Sequence, residues 1–485
     1  MKKKVAIIGA GPAGLVAAKS CLEYGLTPTI FEKSSRVGGV WSGDDPGAAW
    51  TGMHTNLSKW SCMFSDFPWN DNTQEFPFQS EVSDYLKSYA DAFHVTPHIR
   101  FNTEVMKVDK TDSGWLLDFN GQAEYFDAVI IASGFFTKGA QPTISGQENF
   151  KGDIIHSSRV RPDTIALEKN IVICGGSFSG YELAAEFAMV AQQPVTHIFR
   201  TPSWVLKRHF PNADGTSLPV DLASYSRKVN PADSELSPQQ KTARTIGFLK
   251  SAFGTPSKFH PDLALAEDPT KPQFVVISSH YLEMVERGKI LPVRGEIQHF
   301  SHQCVNINGQ QEKAADTLVW ATGYHASLPF MGADITSKID YREDDQFMPA
   351  LLHEAVWPRD VDGLAFVGFY RGPYFAVMEL QARWVAGVFA GEIPSPQPDE
   401  IENGIADAKR LRNLDPRPQF PYGNYVEFAD RLARKVGCYP DLPKSDSLYK
   451  QVHEGFFLPS HYRLTGYASN RAVVEQVIEQ IPYIK

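Results

Sequence analysis

Two strand–turn–helix units with glycine-rich turns constrain this chain more than any other feature. In the first, the apolar run KVAII at residues 4–8 leads directly into GAGPAG at 9–14 and then into a helix-forming stretch of small residues. In the second, NIVIC at 170–174 leads into GGSFSG at 175–180 and another helix-forming stretch. This order is typical of dinucleotide-binding βαβ units, in which phosphates lie at the helix N-terminus. The sequence therefore predicts an α/β protein with two such units.

The first turn has the residues that a bound dinucleotide requires. Gly9 permits the tight turn, Gly11 lets a pyrophosphate approach the backbone, and Gly14 lets the helix pack closely on the strand. A second strand at 28–31 ends in Glu32, whose carboxylate can accept hydrogen bonds from a ribose diol. The alternative is a glycine-rich turn with a surface glutamate, but strand, glycines, helix and acid stand in the required order.

The second turn departs from the pattern in a way that indicates the nucleotide. Ser177 stands in place of the middle glycine, so this site must tolerate a small side chain or use its hydroxyl. After the next strand comes Arg200, where an NAD site has an acid, and an arginine there favours the 2′-phosphate of NADP. Thr201, Lys207 and Arg208 add donors or positive charge nearby. An exposed arginine at a strand end is the alternative interpretation.

Composition excludes several other classes of protein. Lys and Arg number 47 against 56 Asp and Glu, a formal charge of −9, which argues against nucleic-acid binding. The five cysteines are scattered without a C-x-x-C pair, which suits a reducing cytosol and argues against a thiolate metal site. No apolar run approaches the roughly 18 residues that cross a bilayer. We expect a soluble, cytoplasmic protein without a metal, a membrane or a nucleic acid as partner.

Further motifs resemble those of the flavin-containing monooxygenase family, within the class B flavoprotein monooxygenases. They stand in the family's order and cover almost the whole chain: GGVW at 38–41, TNLSK at 55–59, MFSDFP at 63–68, FKGDIIH at 150–156, ATGY at 321–324, ELQARW at 379–384 and YRLTG at 462–466. In the family, the F-x-G-x-x-x-H motif continues to Tyr or Phe, and in Baeyer–Villiger enzymes to Trp. This chain has Val160 there, so that position leaves the two groups undistinguished.

The resemblance implies two Rossmann-like domains, with the NADP domain inserted into the FAD domain. We expect the FAD domain to comprise residues 1–155 and 325–395. The NADP domain is expected at 156–324, with a helical insert at about 210–275 over the mouth of the site. Residues 396–485 are expected to form a helical and irregular C-terminal extension packed on both domains. The resemblance leaves a homodimer open as the assembly.

The chemistry implied by the resemblance begins with hydride transfer from NADPH to FAD. Reduced FAD and oxygen then form a C4a-hydroperoxyflavin, which transfers one oxygen atom to the nitrogen or sulfur of a small amine or sulfide in a closed, dry site. Baeyer–Villiger oxidation of ketones and an uncoupled NADPH oxidase or reductase are the alternatives. All three enzymes would use the same two cofactors.

Asn56 is the predicted catalytic residue, because it matches the family's active-site asparagine. Its amide can donate and accept a hydrogen bond without titrating, although a turn residue is the simpler interpretation. His156 is either a catalyst or a structural linker between the domains. The predicted FAD and NADP contacts, several of them carried over from the family, are Gly9, Gly11, Pro12, Ala13, Gly14, Glu32, Lys33, Gly39, Val40, Trp41, Thr55, Asn56, Val105, Gly175, Ser177, Ser179, Gly180, Arg200, Thr201, Thr322, Tyr324 and Gln381.

Overall fold

Two five-stranded parallel sheets organise the computed structural model of this chain. The structure describes residues 2–43, 48–161, 164–211, 215–228, 236–309, 311–372 and 375–484. In spatial order, the first sheet contains Leu364–Phe366, Ala128–Ile131, Lys4–Ile8, Thr27–Phe31 and Ile99–Arg100. The second sheet contains Ile290–Arg294, Val195–Phe199, Ile171–Cys174, Thr317–Trp320 and Asp153–His156.

The central strands of both sheets are continuous apolar runs because both of their faces are covered. Val5, Ala6 and Ile7 of the first sheet have no exposed surface, and Val172 and Ile173 of the second sheet have none either. Strands of a parallel sheet, covered by helices on both faces, need apolar residues at successive positions rather than at alternate ones. The predicted fold class, two Rossmann-like units in one α/β chain, is confirmed.

Helices and smaller sheets, all but one of them antiparallel, surround the two main sheets in the described residues. The helices are Pro12–Glu23, Gln79–Ala92, Phe178–Val190, Val220–Ser224, Pro238–Phe253, Tyr281–Glu286, Ala333–Lys338, Phe375–Ala390, Pro398–Arg412, Tyr425–Val436, Tyr449–Glu454 and Arg471–Glu479. The three-stranded antiparallel sheets are Val105–Thr111 with Gly114–Phe119 and Gln122–Phe126, and Ile297–Ser301 with Cys304–Ile307 and Gln311–Ala314. The two-stranded pairings are Lys138–Gly139 with Tyr324–His325, Trp204–Leu206 with Val275–Ile277, and His209–Pro211 with Ser217–Pro219.

The second sheet is inserted into the first along the chain. Four strands of the first sheet precede residue 132, and its last strand, Leu364–Phe366, follows the whole second sheet. The predicted boundary at residue 155 falls inside the strand Asp153–His156, which pairs with Thr317–Trp320 of the second sheet. The strand belongs to the second sheet because it pairs with residues about 160 positions later in the chain, and no local sequence pattern indicates this pairing.

The predicted helical insert at 210–275 is only partly helical. Residues 209–211 and 217–219 form a β-hairpin, and the helices Val220–Ser224 and Pro238–Phe253 follow. Ser237 begins the longer helix with a capping box, in which its hydroxyl accepts from the backbone N–H of Gln240. Residues 212–214 and 229–235 of the predicted insert lie outside the described residues.

The C-terminal extension packs on the first sheet's helices and on the insert. Its helix Tyr425–Val436 buries an apolar face against the helix Phe375–Ala390. The side chain of Gln419 exchanges two hydrogen bonds with the backbone of Val275, at 2.8 and 2.9 Å. None of the described helices is both long enough and apolar enough to cross a membrane.

A buried ionic cluster ties the extension to the N-terminal half of the chain. The guanidinium of Arg463 lies 2.8 Å from the carboxylates of both Glu379 and Asp66. Lys19, on the first helix, pairs with the same oxygen of Asp66. Ser65 donates its backbone N–H to Glu379 and accepts a bond from Arg463, both at 2.7 Å. Burial alone would lower the pKa of Arg463, but Glu379 and Asp66 raise it, so the arginine stays charged.

Removing Arg463 should destabilise the protein strongly. In Arg463→Met, the carboxylates of Glu379 and Asp66 lose their shared partner in an interior site, which typically costs about 3–5 kcal/mol. We expect a clearly lower midpoint of unfolding in thermal or urea denaturation. The control is Arg471→Met in the same extension, because Arg471 pairs with Asp446 near the surface and its loss should change the midpoint little. Equal effects of the two substitutions would contradict the role given to the cluster.

Candidate functional site

The first glycine-rich turn forms a cradle at the start of a helix. A Cβ placed on Gly14 would lie 1.8 Å from the carbonyl oxygen of Gly9, so only glycine allows this helix to approach the strand end. The loop of residues 38–41 covers the turn, since a Cβ on Gly39 would lie 3.0 Å from Cα of Gly11. In the described structure the helix Pro12–Glu23 has no side-chain cap and no acid in its first turn. Its N-terminal N–H groups are therefore suited to bind an anion.

Glu32 is held rigidly beside this cradle. One carboxylate oxygen accepts from the backbone N–H of Ala10 at 2.7 Å, and the other accepts from the N–H and hydroxyl of Ser34 at 2.8 and 2.7 Å. The side chain is almost fully buried, whereas its neighbour Lys33 is exposed. Because each carboxylate oxygen has more than one lone pair, Glu32 retains the capacity to accept from ribose hydroxyls.

Asn56 carries an unpaired buried oxygen. Its Oδ1 is inaccessible to solvent and has no hydrogen-bond partner among the described residues. The neighbouring Thr55 is well anchored, since its N–H donates to Pro77 at 2.9 Å and its hydroxyl donates to Leu57 at 2.8 Å. Buried polar atoms in proteins almost always have a partner, so an orphan deserves a specific explanation. A bound cofactor or substrate beside Asn56 would supply the missing donor.

The second turn repeats the geometry of the first. A Cβ on Gly180 would lie 2.0 Å from the carbonyl oxygen of Gly175, the same close approach as in the first turn. Ser177 immediately precedes the helix Phe178–Val190, and among the described residues its side chain makes no capping hydrogen bond to that helix. Ser177 and Ser179 are both half-buried. The hydroxyl of Ser177 is therefore compatible with a phosphate at this helix start, as the sequence required.

Arg200 and Arg208 have different surroundings, although the sequence grouped them together. Arg200 follows the strand Val195–Phe199 with 80% of its side chain exposed and makes a 3.6 Å ion pair with the exposed Glu296. Arg208, by contrast, is mostly buried and pairs with Glu182. Arg208 is therefore occupied inside the protein, which corrects the expectation that it adds charge beside Arg200.

His156 lies at the junction between the two sheets. Its Nδ1 accepts the backbone N–H of Ser158 at 3.2 Å, so the proton belongs on Nε2, which donates to the carbonyl of Gly323 at 3.0 Å. Burial lowers the pKa of His156, which keeps the ring neutral. The ring of Tyr324 packs edge-on against it at 4.9 Å. Both nitrogens of His156 are thus hydrogen-bonded within the protein. The linker role of His156, one of the two interpretations that the sequence left open, stays a prediction.

Three further predicted contacts, Gln381, Thr322 and Val105, are buried or bonded to backbone. Gln381 has no exposed surface, and its amide accepts from the N–H of Gly368 at 2.9 Å and donates to the carbonyl of Glu354 at 3.1 Å. Thr322 donates its hydroxyl to a backbone carbonyl, and Val105 is buried beside the first sheet. The amide of Gln381 thus braces two loops. Contacts of these three residues with a cofactor, like those of every other predicted site residue, stay predictions.

Sequence reasoning missed the residues that join the Asn56 region to the second unit. The indole N–H of Trp50 donates to Glu186 at 2.6 Å, and Glu186 lies one turn beyond Glu182 on the helix Phe178–Val190. Burial, helped by the neighbouring charge of Glu182 and opposed by the bond from Trp50, raises the pKa of Glu186 to about 8. The pairing is distant along the chain, so no local sequence signal could have indicated it.

Comparison with known proteins identifies the family. The model of the family described as flavin-binding monooxygenase-like matches residues 2–481, so the chain belongs to this family. It is 28% identical over 497 residues to flavin-containing monooxygenase 5 of Oryctolagus cuniculus, covering 96% of this chain and 89% of the relative. The protein is therefore an enzyme, a flavin monooxygenase that uses FAD and NADPH, with O₂ and a small molecule as its substrates.

Solved structures share the fold. The S-allyl-L-cysteine S-oxygenase from Allium sativum aligns with a TM-score of 0.63 and 22% identity, over 99% of this chain and 98% of its own. A cyclohexanone monooxygenase from Rhodococcus sp. Phi1 bound to NADP⁺ aligns with a TM-score of 0.66 and 18% identity, over 94% of this chain and 99% of its own. At these identities the likeness establishes the fold alone.

Replacing Gly11 should remove the flavin without unfolding the protein. The backbone of Gly11 is extended and a Cβ there would make only an ordinary contact, 3.5 Å from Cα of Gly39. A valine would nevertheless bring two methyl groups into the cradle where the pyrophosphate is expected. We expect Gly11→Val to be purified colourless, with a normal circular dichroism spectrum. The control is Gly247→Val, where no atom lies within 4 Å, and this variant should stay yellow.

Proposed function

We propose that this enzyme uses NADPH and oxygen to transfer one oxygen atom to the nitrogen or sulfur of a small amine or sulfide. Bound FAD supplies the chemistry, since it accepts hydride from NADPH and, once reduced, activates oxygen. The chain's own residues bind the two cofactors, orient them and exclude water. The observation that carries the proposal is the buried, unpaired Oδ1 of Asn56, on a segment that contacts both dinucleotide units.

The two turns are the proposed cofactor sites. For FAD, the proposed contacts are the uncapped helix start after Gly11, the carboxylate of Glu32 and the covering loop at 38–41. For NADP, they are the helix start after Ser177 and the guanidinium of Arg200. Both helix starts offer N–H groups and the positive end of a helix dipole to phosphates. The fit rests on the close approach of helix to strand at Gly14 and Gly180, where a Cβ would collide with a backbone carbonyl oxygen.

The role proposed for Asn56 follows from its chemistry. An amide can hold a polar group of the flavin or of NADP without exchanging a proton with it. Stray protons and water would divert activated oxygen to hydrogen peroxide, so a neutral partner in a water-excluded site is favourable. Trp50 and Thr55, which both precede Asn56 in the chain, bond to Glu186 and Arg208 of the second unit. Asn56 is therefore suited to face both cofactors.

Oxidation of ketones to esters is the second candidate. Val160 matches neither form of the family motif, and the fold is shared with a cyclohexanone monooxygenase. The two functions are separated by product analysis with thioanisole and with cyclohexanone as probes, each supplied with NADPH and oxygen. The sulfoxide without a lactone supports the proposal, whereas the lactone without the sulfoxide favours the alternative. The predicted cytoplasmic location and homodimer stay predictions.

Asn56→Ala should separate flavin reduction from oxygen transfer. Without the amide, we expect NADPH to reduce the flavin at a comparable rate under anaerobic conditions, because Asn56 is proposed to act after that step. In air, hydrogen peroxide per NADPH should rise and sulfoxide per NADPH should fall, since a preorganised partner is lost from a dry site. Both ratios are measured in one reaction by peroxide assay and product mass.

The matched control is Asn70→Ala, because Asn70 is an exposed asparagine nearby in the chain. It should couple NADPH to product as the parent does. Unchanged coupling in Asn56→Ala would remove Asn56 from the mechanism. A parent enzyme that passes all electrons to peroxide, with every amine, sulfide and ketone probe, would favour an oxidase instead.

Arg200→Ala should abolish the preference for NADPH over NADH. One charge-assisted contact to the 2′-phosphate contributes about 1.5–3 kcal/mol, which corresponds to roughly 10- to 150-fold in kcat/KM. We expect kcat/KM for NADPH to fall by this factor while the value for NADH stays nearly constant. Glu296→Gln, which removes only the ion-pair partner of Arg200, should keep the preference. Equal losses with both cofactors would mean that Arg200 is structural.

A further inference from the structure

The backbone on both sides of Asn56 is held by residues of the inserted arm, defined here as residues 204–211 and 215–224. This arm leaves the second sheet after the strand Val195–Phe199 and ends with the short helix Val220–Ser224. Two of its charged side chains, Arg208 and Asp221, bond to the Asn56 segment. Asp221 was not among the site residues that the sequence or the family motifs indicated, and Arg208 was expected beside Arg200 instead.

Asp221 holds the segment on the C-terminal side of Asn56. One carboxylate oxygen accepts the backbone N–H of Ser58 at 3.0 Å, and the other accepts the hydroxyls of Ser58 and Ser61 at 2.7 and 2.5 Å. The carboxylate is 1% exposed. Ser58 follows Asn56 by two residues, so these bonds limit the positions that the Asn56 backbone can take.

Arg208 holds the same segment on the N-terminal side. Its Nε donates to the carbonyl oxygen of Thr55 at 3.1 Å, and its terminal nitrogen pairs with Glu182. Glu182 lies on the helix whose start is the proposed NADP site. The carbonyl oxygen of Arg208 also accepts a hydrogen bond from the N–H of Val220 at 2.8 Å. Because Val220 precedes Asp221, this bond connects the backbone of Arg208 with that of Asp221. Asn56 is therefore linked through Arg208 to the helix Phe178–Val190.

We propose that Asp221 is a positioning residue, which together with Arg208 holds Asn56 in place from the NADP-binding unit. The inference rests on the proposed function of Asn56. Asp221 is assigned no contact with substrate or cofactor and acts through the backbone of Ser58. In this arrangement, the orientation of the Asn56 amide depends on how the inserted arm docks on the first unit.

The free-energy cost of burying the carboxylate of Asp221 argues against a role in packing alone. Burial raises its pKa, and the bonds from Ser61 and Ser58 only oppose that shift. A buried charge of this kind is weak evidence for stability, because apolar residues of similar volume often stabilise more. What the carboxylate supplies instead is a fixed geometry, in which three donors on one turn of backbone converge on two oxygens. Specification of a unique conformation is the best reason for a buried polar network.

The test compares Asp221→Ala with the parent holoenzyme by hydrogen–deuterium exchange and by coupling. Loss of a backbone N–H bond to a carboxylate should raise exchange in the peptide containing residues 55–62 by roughly tenfold or more. Peroxide per NADPH should rise as in Asn56→Ala, with thioanisole as the probe, while anaerobic flavin reduction stays comparable. In the double variant Asn56→Ala/Asp221→Ala, coupling should be no worse than in Asn56→Ala alone, because both substitutions remove the same placed amide.

Two milder substitutions keep the proposal testable if Asp221→Ala fails to fold. Ser58→Ala and Ser61→Ala each remove one hydroxyl bond to the same oxygen of Asp221. Ser58 is close to Asn56 and Ser61 is further along the segment. We expect greater uncoupling in Ser58→Ala than in Ser61→Ala. Equal coupling in the two, unchanged exchange over residues 55–62 in Asp221→Ala, or additive uncoupling in the double variant would each overturn the proposal.

Failure of this inference is distinguishable from failure of the proposed function. If the parent makes no product from any probe, the proposed oxygenation is wrong, but exchange over residues 55–62 still reports whether Asp221 holds the segment. In that case, unchanged exchange overturns the positioning role, and raised exchange supports it. If the parent is coupled and Asn56→Ala is uncoupled, while Asp221→Ala matches the parent, only the positioning role is lost.

Discussion

The buried pairing of Arg463 with Glu379 and Asp66 brings together parts of the chain that no local interaction could join. Arg463 comes from the C-terminal extension, Glu379 from the helix Phe375–Ala390 and Asp66 from the segment that follows Asn56. Lys19 adds the first helix to the same cluster. Because charges away from water are tolerated only with well-placed partners, the cluster requires all four parts to pack in one arrangement.

The segment of residues 55–66 is consequently held at both of its ends by buried carboxylates. Asp221 of the inserted arm binds Ser58, and Glu379 of the C-terminal half binds Ser65. One carboxylate belongs to the part of the chain that contains the second sheet, and the other belongs to the part that returns to the first. Asn56, whose amide is the proposed catalytic group, lies two residues before the first of these anchors, so its place depends on the relative position of the two units. This suits an enzyme whose two cofactors must meet.

Sequence reasoning was most successful where function demands short, contiguous motifs. The first glycine-rich turn has the close helix–strand approach that was predicted at Gly14, and the second turn repeats it at Gly180. The family assignment from the motifs is confirmed. Sequence reasoning was less successful at the boundary near residue 155 and in the insert, where a hairpin replaces part of the expected helices. Near residue 155 pairing with a distant strand outweighed local preference, whereas in the insert a local hairpin formed between residues 209–211 and 217–219.

What the sequence determined by itself is the class of fold and the cofactors, because a strand, a glycine turn and a helix form a phosphate-binding unit within about 30 residues. Only the tertiary structure decided which polar side chains meet. It placed Arg208 on Glu182 rather than beside Arg200, and it brought Asp221 to Ser58 across 163 positions of chain. Hydrogen bonds and ion pairs act over a few ångströms in space and have no fixed spacing along the chain, so these contacts follow from packing alone.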